Sequence, residues 1–586
     1  MACARKAISW IAVLVIASCA CFWGAPFAEA CTAVYVGSEV SADGSIIIAR
    51  SNDNQGVFGN YIDVVERMEN KPGRTMPIND AQDVLAELPA TTYKYICTPL
   101  MDSGAEDNGT PHDAAAGVNE CGVAMTMSIT AFSNKAALDA DPLVESGVTE
   151  FTMDDYVVCQ SATAREAVET LLAAIDKYGS SEINIALITD QNEAWWVEMY
   201  SGHQYAAVKL PSDKVSAFGN EFQLEYLSDY EDRIVSPGLE SLPKERGFAV
   251  YGDNGELNLF ETYSGTSMDA DYCHMRTWIG HQLLAPSAFK GDYDINRHYP
   301  ACFTPDKPVS VRDVMELMRN RFEGTPYSPD ETGRTDMRVI GTDTAMSVHV
   351  MQVYPQLPAE MSTVLWECAG PCIYGVFVPV SNACTKVNEA YARNQPAEED
   401  GTFDVGHYPY YAMKGLTTFC VEKDEYKVYG TPVREYWAQA EESMAAMMGS
   451  VLAEAATMDS AQAAAHIESY CASVQGKSFD DARKLYNDVV WYHGVNSNTL
   501  KNGKNPETEE VYDELKPIDP MKVNLDPSAY AQVPDPSSSE AQKDARGLPA
   551  EGIVAVCFVA LAAIAAIVFV LYKRRQRDAS GRNEGE

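Results

Sequence analysis

Cys31 is the residue that most limits what this chain can become, because it stands directly after a segment built to be removed. Arg5 and Lys6 precede an apolar run from Ala7 to Trp23, and Ala28-Glu29-Ala30 is the small-x-small pattern after which signal peptidase cuts. Residues 1–30 are therefore expected to be an export signal, and the folded chain to begin at Cys31. A cysteine in first place carries a thiol and a free α-amine on one residue. That amine titrates at about 7.7 to 8.0, close enough to neutrality to accept the thiol proton, whereas a lysine near about 10.4 would be mostly protonated. Export then doubles as activation. A rival signal is Ile16-Ala17-Ser18-Cys19, a lipobox that would leave Cys19 acylated; it ranks second because an anchor already stands at the other end.

That anchor is the uncharged run Ile553 to Tyr572, long enough as a helix to cross a bilayer at roughly 30 Å. Lys573, Arg574, Arg575 and Arg577 follow at once, which predicts a cytoplasmic tail over 573–586 and an extracellular remainder. Leu548-Pro549-Ala550-Glu551-Gly552 resembles a sortase signal with Glu551 in the threonine position, so cell-wall attachment is the minority alternative. Residues 524–552 are rich in Pro, Ser and Asp and predict a stalk. The remaining 31–523 form the expected ectodomain. The formal net charge of −40 keeps such a surface soluble and repels nucleic acid and anionic lipid. Of the fifteen cysteines, ten fall in the ectodomain besides Cys31, an even count that permits disulfides, with Cys368 and Cys372 as close candidates.

Strand-like runs occupy Cys31 to Val36 and Ser45 to Arg50, with Asp43-Gly44 as a hairpin signal between them; more follow at Val123 to Thr130, Ile183 to Thr189, Ala194 to Tyr200 and Tyr205 to Leu210. Helical periodicity marks Thr163 to Tyr178, where Thr163 and Glu166 have capping-box spacing, then Arg434 to Gln475 and Phe479 to Tyr492. Strands early and in the middle, with helices between and after, predict an α+β layered domain with a helical C-terminal region over 434–492.

The opening CTAVYVGSEVSADGSIIIARSNDNQG resembles that of the dipeptidase A family of N-terminal-nucleophile cysteine peptidases, distant relatives of penicillin V acylase and bile salt hydrolase: a cysteine, a strand, a DGS turn, then an R-x-x-D pair, here Arg50 and Asp53. GVNECGVAMT at 117–126 and EAWWVEMYSGHQYAAVKLPSDKVSAFGNEFQLEY at 193–226 agree, as do weaker stretches at 272–284 and 347–380, in family order over residues 31 to about 500. The resemblance implies a four-layer αββα sandwich and a cofactor-free dipeptidase acting on small peptides. It implies Cys31 as nucleophile, its amine as base, Asp53 as that amine's partner and Arg50 beside the sulfur. Likeness to the related acylases adds Asn220 as oxyanion donor and Arg276 as a second cation. Met127-Ser128-Ile129 departs from the acylases, which carry an asparagine there. An amidase acting on N-acyl amides such as bile salts or penicillin V, and a surface binding protein that has lost catalysis, are the two alternatives. A homo-oligomer stays open.

Other chemistries lack their residues. His203 has no second histidine at ligand spacing, and no H-E-x-x-H, paired C-x-x-C, phosphate-binding glycine loop or G-x-S-x-G elbow occurs. Asp292 to Asn296 imitates a calcium loop, but Arg297 replaces the required glycine, so a surface turn is expected.

Overall fold

The computed structural model of the chain describes residues 31–53, 59–100, 114–265, 270–334, 336–392, 404–421, 426–496 and 523–532. The expected leader, the span 553–572 and the tail 573–586 lie outside them. No helix among the described residues is long and apolar enough to cross a membrane.

The fold begins as its sequence suggests, with β1 (Ala33–Val36) and β2 (Ile46–Asp53) paired antiparallel so that Ala33 faces Arg50. Asp43 shapes the turn by accepting from the Ser45 backbone and hydroxyl, and Gly44 follows at φ 80°. Twelve further strands join it in two large sheets, β3 (Asp63–Val65), β4 (Tyr95–Pro99), β5 (Ala114–Asn119), β6 (Ala124–Thr130), β7 (Asn184–Thr189), β8 (Ala194–Met199), β9 (Tyr205–Lys209), β10 (Val215–Phe218), β11 (Arg233–Val235), β12 (Ala345–Val353), β13 (Thr363–Cys368) and β14 (Val378–Ser381), and two short two-stranded ribbons stand apart from them. One sheet has the order β10-β1-β2-β12-β13-β14 and the other β11-β9-β8-β7-β6-β5-β4-β3, and every pairing is antiparallel. The sheets stack face to face, with β2 against β6 and β7. Helices α1 (Glu150–Val158) and α2 (Ala164–Tyr178) cover the outer face of the larger sheet. Helices α3 (Ala270–Leu284) and α4 (Val311–Met318) cover the smaller one. The result is the four-layer αββα arrangement.

Because both faces of each sheet are covered, central strands bury every residue: β2, β7, β8 and β12 contain no exposed position. Such strands read as unbroken apolar runs rather than alternations, which is why three consecutive isoleucines could open β2. Trp196 stacks on Phe218 across the gap, with ring centroids 4.2 Å apart, and so fixes the end of β10.

After α5 (Pro409–Cys420), the C-terminal region differs from its expected division. Helix α6 (Thr431–Ala455) ends early, and α7 (Ser460–Asn496) runs unbroken through the 476–478 gap expected between two helices. Gly476 marks a close approach instead of an end: a Cβ there would meet Asn388 Nδ2 at 2.8 Å. Gln475, fully buried, donates to the Pro379 carbonyl of β14 at 2.9 Å, holding the helix to the sheet edge. Residues 524–532, expected to begin the stalk over 524–552, are docked. Tyr530 is fully buried against α6 and donates to Asp481 at 2.9 Å, because its ring supplies the apolar area that the surrounding Pro and Ser lack. The cysteines also need correction. Every cysteine among the described residues is a free thiol, Cys368, Cys372, Cys384 and Cys471 included, and Cys372 donates its thiol to the Met318 carbonyl at 3.3 Å.

Candidate active site

Sheet order explains how distant residues reach one place. β1 lies between β10 and β2, so Cys31, two residues ahead of β1, meets the outgoing end of β2 on one side and the segment leaving β10 on the other. The first carries Arg50 and Asp53, the second Asn220. Thr32 N donates to Ser51 Oγ at 3.0 Å and Ser51 N to the Thr32 carbonyl at 3.0 Å, which locks Cys31 in position.

Arg50 is buried and shares a hydrogen bond with the Cys31 thiol. Its Nη1 donates to the carbonyls of Ala115, at 2.9 Å, and Met127, at 2.5 Å, in the opposite sheet. The Met127 carbonyl is available because β6 slips register between Thr126 and Ile129, at the site of the Met127-Ser128-Ile129 departure. Burial works against the Arg50 charge, but Cys31 and Glu150 more than restore it, so its pKa is raised and a fixed cation sits beside the sulfur.

Asp53 is buried, with Oδ2 taking Ser51 Oγ at 3.0 Å and Arg338 Nη2 at 2.9 Å. Its Oδ1 has no hydrogen-bond partner among the described residues. Burial raises the carboxyl pKa, opposed by Arg338 and then Arg276. Arg338 is a site residue that sequence reading missed, since no motif ties it to Asp53.

Arg276, fully buried on α3, spans the site. Nη1 donates to the Cys31 carbonyl and to Thr32 Oγ1 at 3.0 Å, and Nη2 donates to Asn220 Oδ1 at 2.7 Å. A guanidinium only donates, so Asn220 must turn its oxygen to Arg276 and its NH2 away. Gly219 makes this approach possible, because a Cβ there would lie 3.1 Å from Arg276 Cζ. Glu198 is the second missed residue. Fully buried, it accepts from Gln223 N at 2.8 Å and Leu224 N at 3.3 Å, and from Trp196 and Tyr200, so it holds the loop that carries Asn220. Burial pushes its pKa up to about 7 against those donors. It sits within the EAWWVEMYSG block, where an acid between buried aromatics was the available signal. Beside Asn220 opens a cleft of about 250 Å³ lined by Phe222, Phe260, His274, Arg297 and His298.

All five residues expected from sequence thus surround one point, Cys31 included. The model of Peptidase family C69 matches residues 30–439. The chain belongs to Peptidase family C69. Its match starts one residue before Cys31 and ends inside α6, so α7 of this C69 peptidase lies beyond it. Relatives include a probable dipeptidase B of Lactococcus lactis subsp. lactis, 30% identical over 383 residues, covering 64% of this chain and 78% of that one. A probable dipeptidase of Salmonella dublin is 30% identical over 362 residues, covering 60% and 80%. A probable dipeptidase B of Streptococcus pyogenes serotype M6 is 28% identical over 390 residues, covering 63% and 76%. Among solved structures, a conjugated bile acid hydrolase from Clostridium perfringens aligns at 11% identity with a TM-score of 0.27, covering 58% of this chain and 89% of that chain.

Proposed function

We propose that this C69 peptidase is an exported, membrane-tethered cysteine dipeptidase that hydrolyses small peptides outside the cell. The observation that supports it is the meeting of the buried Cys31, Arg50, Asp53, Asn220 and Arg276 where β1 begins, between β10 and β2. The α-amine of Cys31, released by cleavage after Ala30, accepts the thiol proton, and Asp53 Oδ1 holds the ammonium. Arg50 favours the thiolate. The sulfur attacks the scissile carbonyl, whose oxygen takes negative charge against the Asn220 NH2 and backbone N–H groups. Removing one such donor costs ~3 to 4 kcal/mol of barrier. The ammonium then protonates the leaving amine, a thioester remains, and water deprotonated by the same amine releases the acid.

The uncharged run 553–572 is the proposed anchor, and the acidic composition suits an extracellular setting. The test is the Cys31→Ala variant assayed on a dipeptide panel and an N-acyl amide panel. Loss of dipeptide turnover with unchanged folding is expected; retained turnover would overturn the assignment, and wild-type preference for acyl amides would favour the amidase alternative.

A further inference from the structure

The segment leaving β14 turns and runs along α7. Thr385 N and Lys386 N both donate to Glu468 Oε2, at 2.9 and 3.2 Å, and Thr385 Oγ1 joins them at 2.7 Å. Further on, Asn388 N donates to Gln475 Oε1 at 2.9 Å and its Nδ2 to the Ala472 carbonyl at 3.3 Å. Glu468, Cys471, Ala472 and Gln475 follow the three-and-four spacing of a single helix face, the one turned to this segment. Cys384 immediately precedes Thr385. Its thiol and that of Cys471 are both free and buried, with 0% and 1% exposure, and they lie beside each other in this seam. Five polar contacts therefore hold two thiols together from both sides of the seam between β14 and α7.

We propose that Cys384 and Cys471 close into a disulfide when the chain folds in the presence of a disulfide donor, stapling α7 to the edge of the smaller sheet. The inference rests on the export reading, because disulfides persist outside the cytoplasm. One cysteine, as thiolate, attacks a disulfide of the donor, an extracytoplasmic thiol oxidoreductase or a small-molecule disulfide. A mixed disulfide forms and one donor thiolate leaves. The second cysteine then attacks the mixed bond, the Cys384–Cys471 bond forms, and the donor's other sulfur departs. The chain loses two protons and two electrons, and the donor is reduced to two thiols. In the folded chain the Cys471 pKa stands well above its ordinary value, first through the neighbouring Cys384 thiol and then through burial, so the exchange belongs to folding rather than to the finished molecule. The staple joins an element beyond the family-matched residues to one within them, and it constrains the unfolded chain across a long loop.

The test refolds the full chain with oxidised glutathione, blocks remaining thiols with iodoacetamide in denaturant, and maps peptides without reduction. A linked pair containing positions 384 and 471, lighter than its free-thiol form by two hydrogens, is expected. Its melting temperature should fall by ~4 °C on reduction or in the Cys384→Ser, Cys471→Ser double variant, with dipeptide turnover unchanged. Alkylation of both residues after oxidative refolding would overturn the proposal. Closure on refolding, combined with free thiols in protein taken from its own cells, would uphold the pairing and overturn the export reading.

Discussion

Arg276 donates to Asn220 Oδ1 at 2.7 Å, and that bond decides which end of the Asn220 amide can serve the reaction. The same guanidinium holds the Cys31 carbonyl, so nucleophile and oxyanion donor are referenced to one rigid, buried group. Asn220→Ala is expected to lower kcat by ~10²- to 10³-fold with little change in KM. Asn220→Asp should be worse than a simple loss of the donor, because a carboxylate would face the developing negative charge. Steady-state kinetics on one dipeptide checks both.

Arg338 is expected to set the acid limb of the pH profile. Burial already raises the Asp53 pKa, and Arg338 is the largest influence lowering it. In Arg338→Met that opposition is lost, Asp53 protonates at higher pH, and it no longer holds the α-ammonium there. The acid limb of kcat/KM against pH should move upward. An unmoved acid limb would show that Asp53 does not act through its charge.

How far this site could be read from the sequence depends on where its partners lie. Cys31, Arg50 and Asp53 fall on one hairpin, so local spacing finds them. Asn220 and Arg276 required motifs as well, because only the β10-β1-β2 order brings them in. Arg338 reaches Asp53 from the segment ahead of β12, the neighbour of β2 in the same sheet, and leaves no local trace because the two lie 285 residues apart in sequence. The Thr163 cap was legible, since its hydroxyl accepts from Glu166 N at 3.1 Å, yet Glu166 returns the bond to Ala162 N rather than to Thr163. The break at 456–459 and the continuity through Gly476 were hidden, because both depend on what the helices touch. Tyr530 shows the same limit: composition marks its segment as unable to form a core, but not as unable to join one.

Glu198 makes folding stability depend on pH in a direction opposite to most carboxylates. Its pKa is raised to about 7 in the fold, so the native state binds the proton more tightly than the unfolded chain. The contribution is fully present below about pH 4.5 and is lost as pH rises through about 7, amounting to roughly 3 kcal/mol. Glu198→Gln should flatten this fall. Denaturant unfolding at pH 5 and pH 8, compared between the two proteins, measures it.

Glu441 joins α6 to the end of α4, and its loss should destabilise the chain without touching catalysis. It is fully buried and accepts from Arg319 Nη1 at 3.0 Å, from Arg319 Nη2 and Arg312, and from Phe377 N at 2.9 Å. Glu441→Gln leaves the buried Arg319 charge with only the part-exposed Glu316 carboxylate, 3.1 Å away, an expected cost of up to ~3 kcal/mol in unfolding free energy. kcat at a temperature where the variant stays folded should be unchanged.

The most direct measurement is the intact mass and N-terminal sequence of the active protein taken from the cell surface, with dipeptide turnover assayed on the same sample. The account predicts a chain that begins at Cys31 with an unmodified amine, and turnover that disappears when that amine is acylated. A chain that keeps residues ahead of Cys31 and still hydrolyses dipeptides would contradict it.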